Sequence, residues 1–332
     1  MKFGAVDLKN AAGCVLAHSV ELANGRLRKG RVLSDADIDA LQAAGASEVI
    51  VARLGADDVG EDAAAARLAA AVLGQASGIT VTTPFTGRVN LIADGPGVVE
   101  LDVAALEAVN AVDPMITIAT VPPFHQMRPR GMIATIKIIS YGVPEAALDK
   151  AVVAAGEGAL RFAQPDLRTA TLIITEIPGG VGDKGRKAIA DRLTALNVTL
   201  ADVVMVPHQP AALSNAVSQS KSDLLLILTG SATSDIDDVA PTALLEAGGT
   251  VTRFGMPVDP GNLLFLGELG SRPVIGLPGC ARAPALNGAD WVLSRVICGI
   301  PVTSKDIAGM GVGGLLKEIP TRPQPRRGRS TA

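Results

Sequence analysis

The residues able to do chemistry in this chain gather behind a few short apolar runs. Leu224 to Leu228 is wholly apolar and stops at Thr229-Gly230-Ser231; Thr233 follows, then the carboxylates Asp235, Asp237 and Asp238. An unbroken apolar run closed by a glycine turn predicts a central strand buried on both faces. The polar loop then falls at the strand's carboxyl end, where open parallel sheets bind ligands. Backbone N–H groups in such a Gly/Ser/Thr loop suit an oxyanion. The acids beside it suit either a divalent ion or the N-cap of the helix that follows. From this stretch alone the two readings stand side by side.

Two further loops share that setting. TLIITE (171–176) reads as a strand, and the glycine-rich segment 177–184 follows it. Gly180-x-Gly182-x-x-Gly185 has the spacing of a dinucleotide fingerprint. A dinucleotide also needs an acid at the end of the next strand, about 20 residues on, to hold the ribose. Val206-Pro207-His208-Gln209 stands there instead, so NAD and FAD are not expected. A phosphate cradle using Asp183 or Lys184, or a plain flexible loop, remains. The third loop, GLPGCAR (276–282), has Gly276 and Gly279, which permit close backbone approach and equally suit a structural turn.

What positions these loops is an alternation of elements. Strands are expected over 171–176, 200–206 and 223–229, with helices over 184–196, 210–219 and 237–247 between and after them. GTVTRF, NLLFLGEL and RPVIGLP then read as strands before a helix over 284–298. Alternation predicts an α/β fold, a three-layer doubly wound sheet, mostly parallel. Right-handed crossovers bring its strand-to-helix loops to one edge.

The rest of the chain reads as support. Residues 1–76 form an N-terminal α+β segment: strands over 14–20 and 26–33 with Asn24-Gly25 as a hairpin signal, a helix capped by Ser34 and closed at Gly45, a strand over 48–53 and a helix over 61–73. The basic stretch 25–33 reads as a solvated edge. Residues 77–142 form a small β-rich domain with a short helix over 104–111; Arg88 and Lys137 within its strands imply a wet face, and His125 reads as a surface residue. A helix over 144–162 opens the α/β domain, 143–303. Residues 304–332 are a tail, basic and disordered toward its end.

Composition narrows the function classes. Of 332 residues, 48% are hydrophobic and 19% charged, enough for a sizeable core. Aromatics are only 2%, so that core is built from Ala, Val, Leu and Ile, and base-stacking platforms are not expected. With a net charge of −3, nucleic acid is not an expected partner. No apolar run is long enough to span a bilayer, so no membrane association is expected. No secretory signal pattern opens the chain. Cys14, Cys280 and Cys298 lack metal-ligand spacing and suit a reducing, cytoplasmic setting. All three read as structural, with Cys280 alone lying in a loop of interest.

Taken together the loops resemble a family. Thr229-Gly230-Ser231 with an Asp nine residues after the Thr, then Met256…Pro260-Gly261, then GLPG (276–279), occur in this order. The pattern is similar to the molybdopterin-binding domain shared by the MoeA, MogA and gephyrin proteins of molybdenum cofactor synthesis, which CinA carries too. It covers roughly residues 170–300. The resemblance implies a MogA-like fold and a site for molybdopterin, an anionic pterin-dithiolene phosphate. Gly230, Ser231, Thr233, Gly276, Pro278, Gly279 and Asp183 would bind it. Asp238 and Asp237 would be the catalytic acids, and Asp238 with Asp235 would hold Mg²⁺.

This chain departs from the family at three places. Ser231 stands for a glycine, His208-Gln209 for an acid, and MPVDPG (256–261) lacks the family's lysine. The resemblance therefore implies molybdopterin or molybdenum cofactor binding, with nucleotidyl transfer or metal insertion assisted by Mg²⁺ if the protein is catalytic. The alternatives are a CinA-like nucleotide pyrophosphate hydrolase and a non-catalytic partner of a nucleotidyltransferase. Relatives imply a homo-oligomer.

Overall fold

Period-two alternation organises the first of two compact units, residues 1–95 with 99–162; the second comprises 96–98 and 163 onward. The computed structural model describes residues 1–23 and 25–316. In Arg88–Ala93 the alternate residues Val89, Leu91 and Ala93 are buried. Ile116 and Ile118 behave alike in Ile116–Thr120, as do Ala134, Ile136 and Ile138 in Met132–Ile138. These strands and Ile79–Val81 make one antiparallel sheet. The helix Glu61–Leu73 presses Ala64, Ala65 and Leu68 onto its apolar face, and Glu145–Ala154 packs Leu148 and Ala151 against that helix in the same core. Small residues let the helices come close, which suits a core almost without aromatic rings.

The helix expected over 144–162 is shorter. It ends at Ala154, because Gly156 and Gly158 take φ of 64° and 122°, and the chain re-enters as a strand, Leu160–Ala163. The strands expected over 14–20 and 26–33 reduce to Val15–Leu16, Val20–Leu22 and Gly25–Leu27. The last two pair as a hairpin. Its signal residue Asn24 lies outside the described residues, as does the basic tail 321–332. A separate small core of Leu8, Leu16, Leu33, Leu41 and Val51 closes this N-terminal segment.

In the second unit the wholly apolar run is a central strand. Elements here are β1 (Thr169–Glu176), α1 (Arg186–Thr194), β2 (Thr199–Pro207), α2 (Pro210–Gln219), β3 (Leu224–Leu228), α3 (Val239–Glu246), β4 (Thr250–Phe254), β5 (Phe265–Leu269), β6 (Arg272–Leu277) and α4 (Gly288–Ile297). The sheet order is β2-β1-β3-β6-β5-β4. Ladders β2/β1, β1/β3 and β3/β6 are parallel; β6/β5 and β5/β4 are antiparallel. The doubly wound, mostly parallel sheet is thus present. Ile173, Leu225, Ile227 and Val274 pack with Leu213 and Val217 of α2 and Ala243 and Leu244 of α3. Leu172, Ile174, Leu226 and Leu228, one residue out of phase, point to the other face. There α1 and α4 bury Ile189, Leu193, Val292 and Ile297. Burial on both faces is why β3 has no alternation to read. Among the described residues no helix is long and apolar enough to cross a membrane.

One carboxylate in the first unit makes its stability depend on pH. The Ser34 hydroxyl accepts from the Asp37 amide, and Asp37 accepts from the Ser34 N–H at 3.0 Å and from Arg31 Nε at 2.8 Å. The Arg31 hydrogen bond first, then the Ser34 amide, hold the Asp37 carboxyl at about 2. A depressed folded value stabilises the fold above the unfolded value, near 4, and that contribution is lost as pH falls through about 2. Asp37→Asn should therefore cost about 1 kcal/mol at neutral pH, discounted for the exposed Arg31. Urea unfolding at stepped pH should show the two proteins converging between about pH 4 and pH 2.

Candidate ligand site at three strand ends

Parallel pairing puts the ends of β1, β3 and β6 level: Ile174 is opposite Leu228, and Leu228 opposite Leu277. Three loops therefore leave the same sheet edge side by side: 177–185, 229–238 and 278–287. The strand ladder stops there, and the backbone groups of the loops need other partners.

Side chains tie the loops together. Thr175 near the end of β1 is buried; its hydroxyl accepts from the Gly230 N–H at 2.9 Å and lies 2.8 Å from Nδ1 of His208. Gly230 is pressed so close to β1 that an added Cβ would stand 2.7 Å from the Thr175 carbonyl oxygen. Arg282, on the third loop, donates to the Lys184 carbonyl at 2.6 Å and to the Thr229 carbonyl at 2.7 Å, so one guanidinium spans all three loops. Gly185, with φ of 106°, starts α1 directly against it; a Cβ there would be 2.9 Å from Arg282 Cα. Arg192 of α1 pairs with Asp290 of α4 at 2.5 Å and donates to the Ala281, Ala283 and Ala285 carbonyls, which fixes the third loop from behind.

The residues picked out by sequence have different environments. Ser231 is exposed, whereas Thr233 is buried with its hydroxyl 3.2 Å from that of Thr229. Asp238 is the N-cap of α3: one oxygen accepts from the Val239 N–H at 2.7 Å, the other from the Ser234 N–H at 2.9 Å. Asp235 accepts from the Asp237 N–H, and Asp237 supplies a carbonyl to Thr242. Asp183 is exposed at the start of α1 and its carbonyl accepts from the Arg186 N–H. Gly276 lies inside β6, where a Cβ would come within 1.9 Å of the Phe265 ring, so packing already demands its glycine. Pro278 is buried and caps the turn 279–282. Gly279 is exposed and a Cβ on it would meet nothing within 4 Å.

The Met256…Pro260-Gly261 segment packs on the start of α4. The Gly288 N–H donates to the Pro260 carbonyl at 2.8 Å, and a Cβ on Gly261 would stand 2.6 Å from that nitrogen. His208, which stands where the resemblance implies an acid, is partnered by the Thr175 hydroxyl. Thr175, Arg282 and the Arg192–Asp290 pair carry no mark in the sequence, because each acts on a segment distant along the chain.

Electrostatically the edge is mixed. Burial draws the Arg282 guanidinium below its ordinary value, and burial pushes the Cys280 thiol up, so that thiol stays protonated. Among the described residues no group of three or more His, Cys, Asp or Glu is arranged to hold a metal ion. The oxygens of Asp238 already accept backbone N–H groups, and the donor set does not fit a resident Mg²⁺. A wide depression of about 500 Å³, lined by Ser218, Ala247, Leu269, Ser271 and Arg272, opens at the opposite sheet edge, away from the three loops.

Residues 153–296 match the family model described as a probable molybdopterin binding domain, and residues 5–53 match that of a domain of unknown function. The segment 153–296 is thus a domain of the molybdopterin-binding, molybdenum cofactor biosynthesis family, as the GLPG and Met…Pro-Gly pattern implied. No curated protein matches the chain. Among solved structures it is similar to the molybdopterin biosynthesis MoeA protein of Pyrococcus horikoshii, at 11% identity over 93% of this chain and 76% of that one, with a TM-score of 0.28. It is also similar to the molybdopterin biosynthesis enzyme MoaB of Thermus thermophilus, at 17% identity over 46% of this chain and 99% of that one, with a TM-score of 0.28. Likeness at that level says nothing of ligand or reaction.

If Thr175 is the tie between the first two loops, removing its hydroxyl alone should loosen them. Thr175→Val keeps the shape but leaves the Gly230 N–H and His208 Nδ1 without their partner. Chemical denaturation should show a loss of about 1–3 kcal/mol. Hydrogen exchange should rise over 229–238 rather than across the sheet. An unchanged midpoint would mean the hydroxyl ties nothing.

Proposed function

We propose that the second unit binds molybdopterin, or a molybdenum cofactor form derived from it, at the three level strand ends. The observation that carries this reading is a set of loop amides with no acceptor inside the protein. Among the described residues the N–H groups of Ser231, Ala232, Thr233 and Gly279 donate to no protein atom. They lie on two adjacent loops whose strands end in register. Backbone N–H groups at strand-to-helix turns are suited to ligand oxygens, and a site lined by them needs no side-chain chemistry. Gly279 supports the reading further: its lack of a Cβ answers no packing need, so close approach by a ligand is the use left for it.

The role we favour is binding or carrying rather than catalysis. Phosphoryl or nucleotidyl transfer rests on positioning and charge neutralisation, with metal ions bridging the phosphates. Here the loop carboxylates cap a helix and close a turn. A magnesium ion arriving with a ligand's own phosphate would supply charge neutralisation; the protein's part is to orient that ligand through the loop amides and exclude water from one side of it. Delivery to a nucleotidyltransferase, in a cytoplasm that keeps Cys14, Cys280 and Cys298 as thiols, fits such a carrier.

The test is titration of the purified full chain with molybdopterin, with and without Mg²⁺. Saturable binding is expected in both conditions. Gly279→Val should weaken it about tenfold or more while leaving the melting temperature unchanged, since the added side chain meets open space. Absence of binding by the wild type, or equal affinity for Gly279→Val, would sink the reading. Nucleotide turnover in the same samples would point to the hydrolase alternative.

A further inference from the structure

Arg282 has one property that tethering does not account for. Its two carbonyl partners use two of its five N–H donors and none of its charge. Arg192, the neighbouring guanidinium, is neutralised by Asp290 at 2.5 Å. Arg282 pairs with no carboxylate among the described residues, and burial is the one influence that shifts its titration. A half-buried cation without a counter-charge is costly to keep. The cost is sensible where an anion visits.

Position supports the same conclusion. The Lys184 and Thr229 carbonyls hold the guanidinium plane at the junction of the three loops. The first turn of α1 begins against it at Gly185 and adds its positive end. With three of its five N–H donors not used by these carbonyls, the planar guanidinium keeps donors for phosphate oxygens.

We infer that Arg282 is the residue by which this loop cluster recognises an anionic phosphate group, and so discriminates phosphorylated from unphosphorylated ligands. The inference rests on the proposal that the three loops form a ligand site, and it assigns the group that selects the ligand there.

The experiment compares full-length wild type, Arg282→Gln and Arg282→Lys, each first checked for its melting temperature. Gln keeps an amide donor for one carbonyl and removes the charge; Lys keeps the charge without the fork. The probes are inorganic pyrophosphate, molybdopterin and enzymatically dephosphorylated molybdopterin. Wild type should bind pyrophosphate in a salt-sensitive way and prefer the phosphorylated pterin. Arg282→Gln should lose about tenfold or more for both phosphorylated probes, with Arg282→Lys between, while all three proteins bind the dephosphorylated pterin alike. Equal pyrophosphate binding by wild type and Arg282→Gln would overturn the inference, as would equal losses for phosphorylated and dephosphorylated pterin, which would leave Arg282 a tether. Should Arg282→Gln fail to fold, Arg282→Lys carries the test: unchanged preference for the phosphorylated pterin overturns the inference, and reduced preference supports it. Pyrophosphate binding that depends on Arg282 without any pterin binding would sustain this inference and refute the molybdopterin reading; pterin binding with no phosphate preference would do the reverse.

Discussion

The second unit depends on the level ends of three parallel strands. Burial of β3 on both faces fixes its neighbours β1 and β6, and parallel pairing brings every loop that follows them to one edge. At that edge the ladder ends and backbone groups need new partners. Thr175 takes up the Gly230 N–H, and Arg282 takes up the Lys184 and Thr229 carbonyls. Each such bond is worth only about 1 kcal/mol net, yet leaving a buried partner unsatisfied costs more. The ties therefore choose among loop conformations more than they stabilise the sheet. Amides not taken up by these ties are what the edge offers to a ligand.

The glycines along this edge look alike in sequence and answer different physical demands. Gly230 is small because the β1 backbone is 2.7 Å from where its Cβ would be, and Gly276 because the Phe265 ring fills that space. Gly261 is small because the α4 start abuts it, and Gly185 because φ is positive and Arg282 is in contact. Gly179 and Gly182 have open space but take φ of 69° and 56°; Gly279 alone on the three loops has neither a close neighbour nor a positive φ. A glycine-rich motif here thus answers packing and backbone conformation at most positions, and neither at Gly279. Substitutions at the others would report on folding before they reported on binding.

Much of the framework is legible in the sequence, and the ties are not. Apolar periodicity marks the helices Glu61–Leu73 and Pro210–Gln219 at their true ends, because a glycine or proline bounds each. The run Leu224–Leu228 announces a strand buried on both faces. The helix expected over 144–162 overruns, because alanines continue the pattern past the point at which Gly156 and Gly158 turn the chain. Thr175, Arg282 and Arg192 stay hidden for a different reason. Their partners lie 55, 53 and 98 residues away, and no local pattern marks a side chain that serves a distant loop. GLPG with Met…Pro-Gly reveals the family of 153–296; the chemistry of the edge needs the register of the sheet.

The acids are where local reading and structure part most sharply, and the whole chain explains why. Aspartate is this protein's habitual cap. Asp37 completes the capping box of Ser34, Asp102 caps the helix Val103–Val112, Asp290 completes the box of Asn287, and Asp306 that of Thr303. Asp223 accepts the Arg168 and Thr169 amides and is held below the usual carboxylate range by them. Asp238 at the start of α3 follows the same usage, with both oxygens on backbone N–H groups. Two amides hold Asp238 in its capping role, and among the described residues no group of three or more His, Cys, Asp or Glu is gathered to share a metal with it. Three acids after a glycine turn therefore do not make this edge a cation site. Its unpaired amides and the Arg282 guanidinium are donors, and they stand beside the exposed carboxylates of Asp183, Asp235 and Asp237 rather than alone.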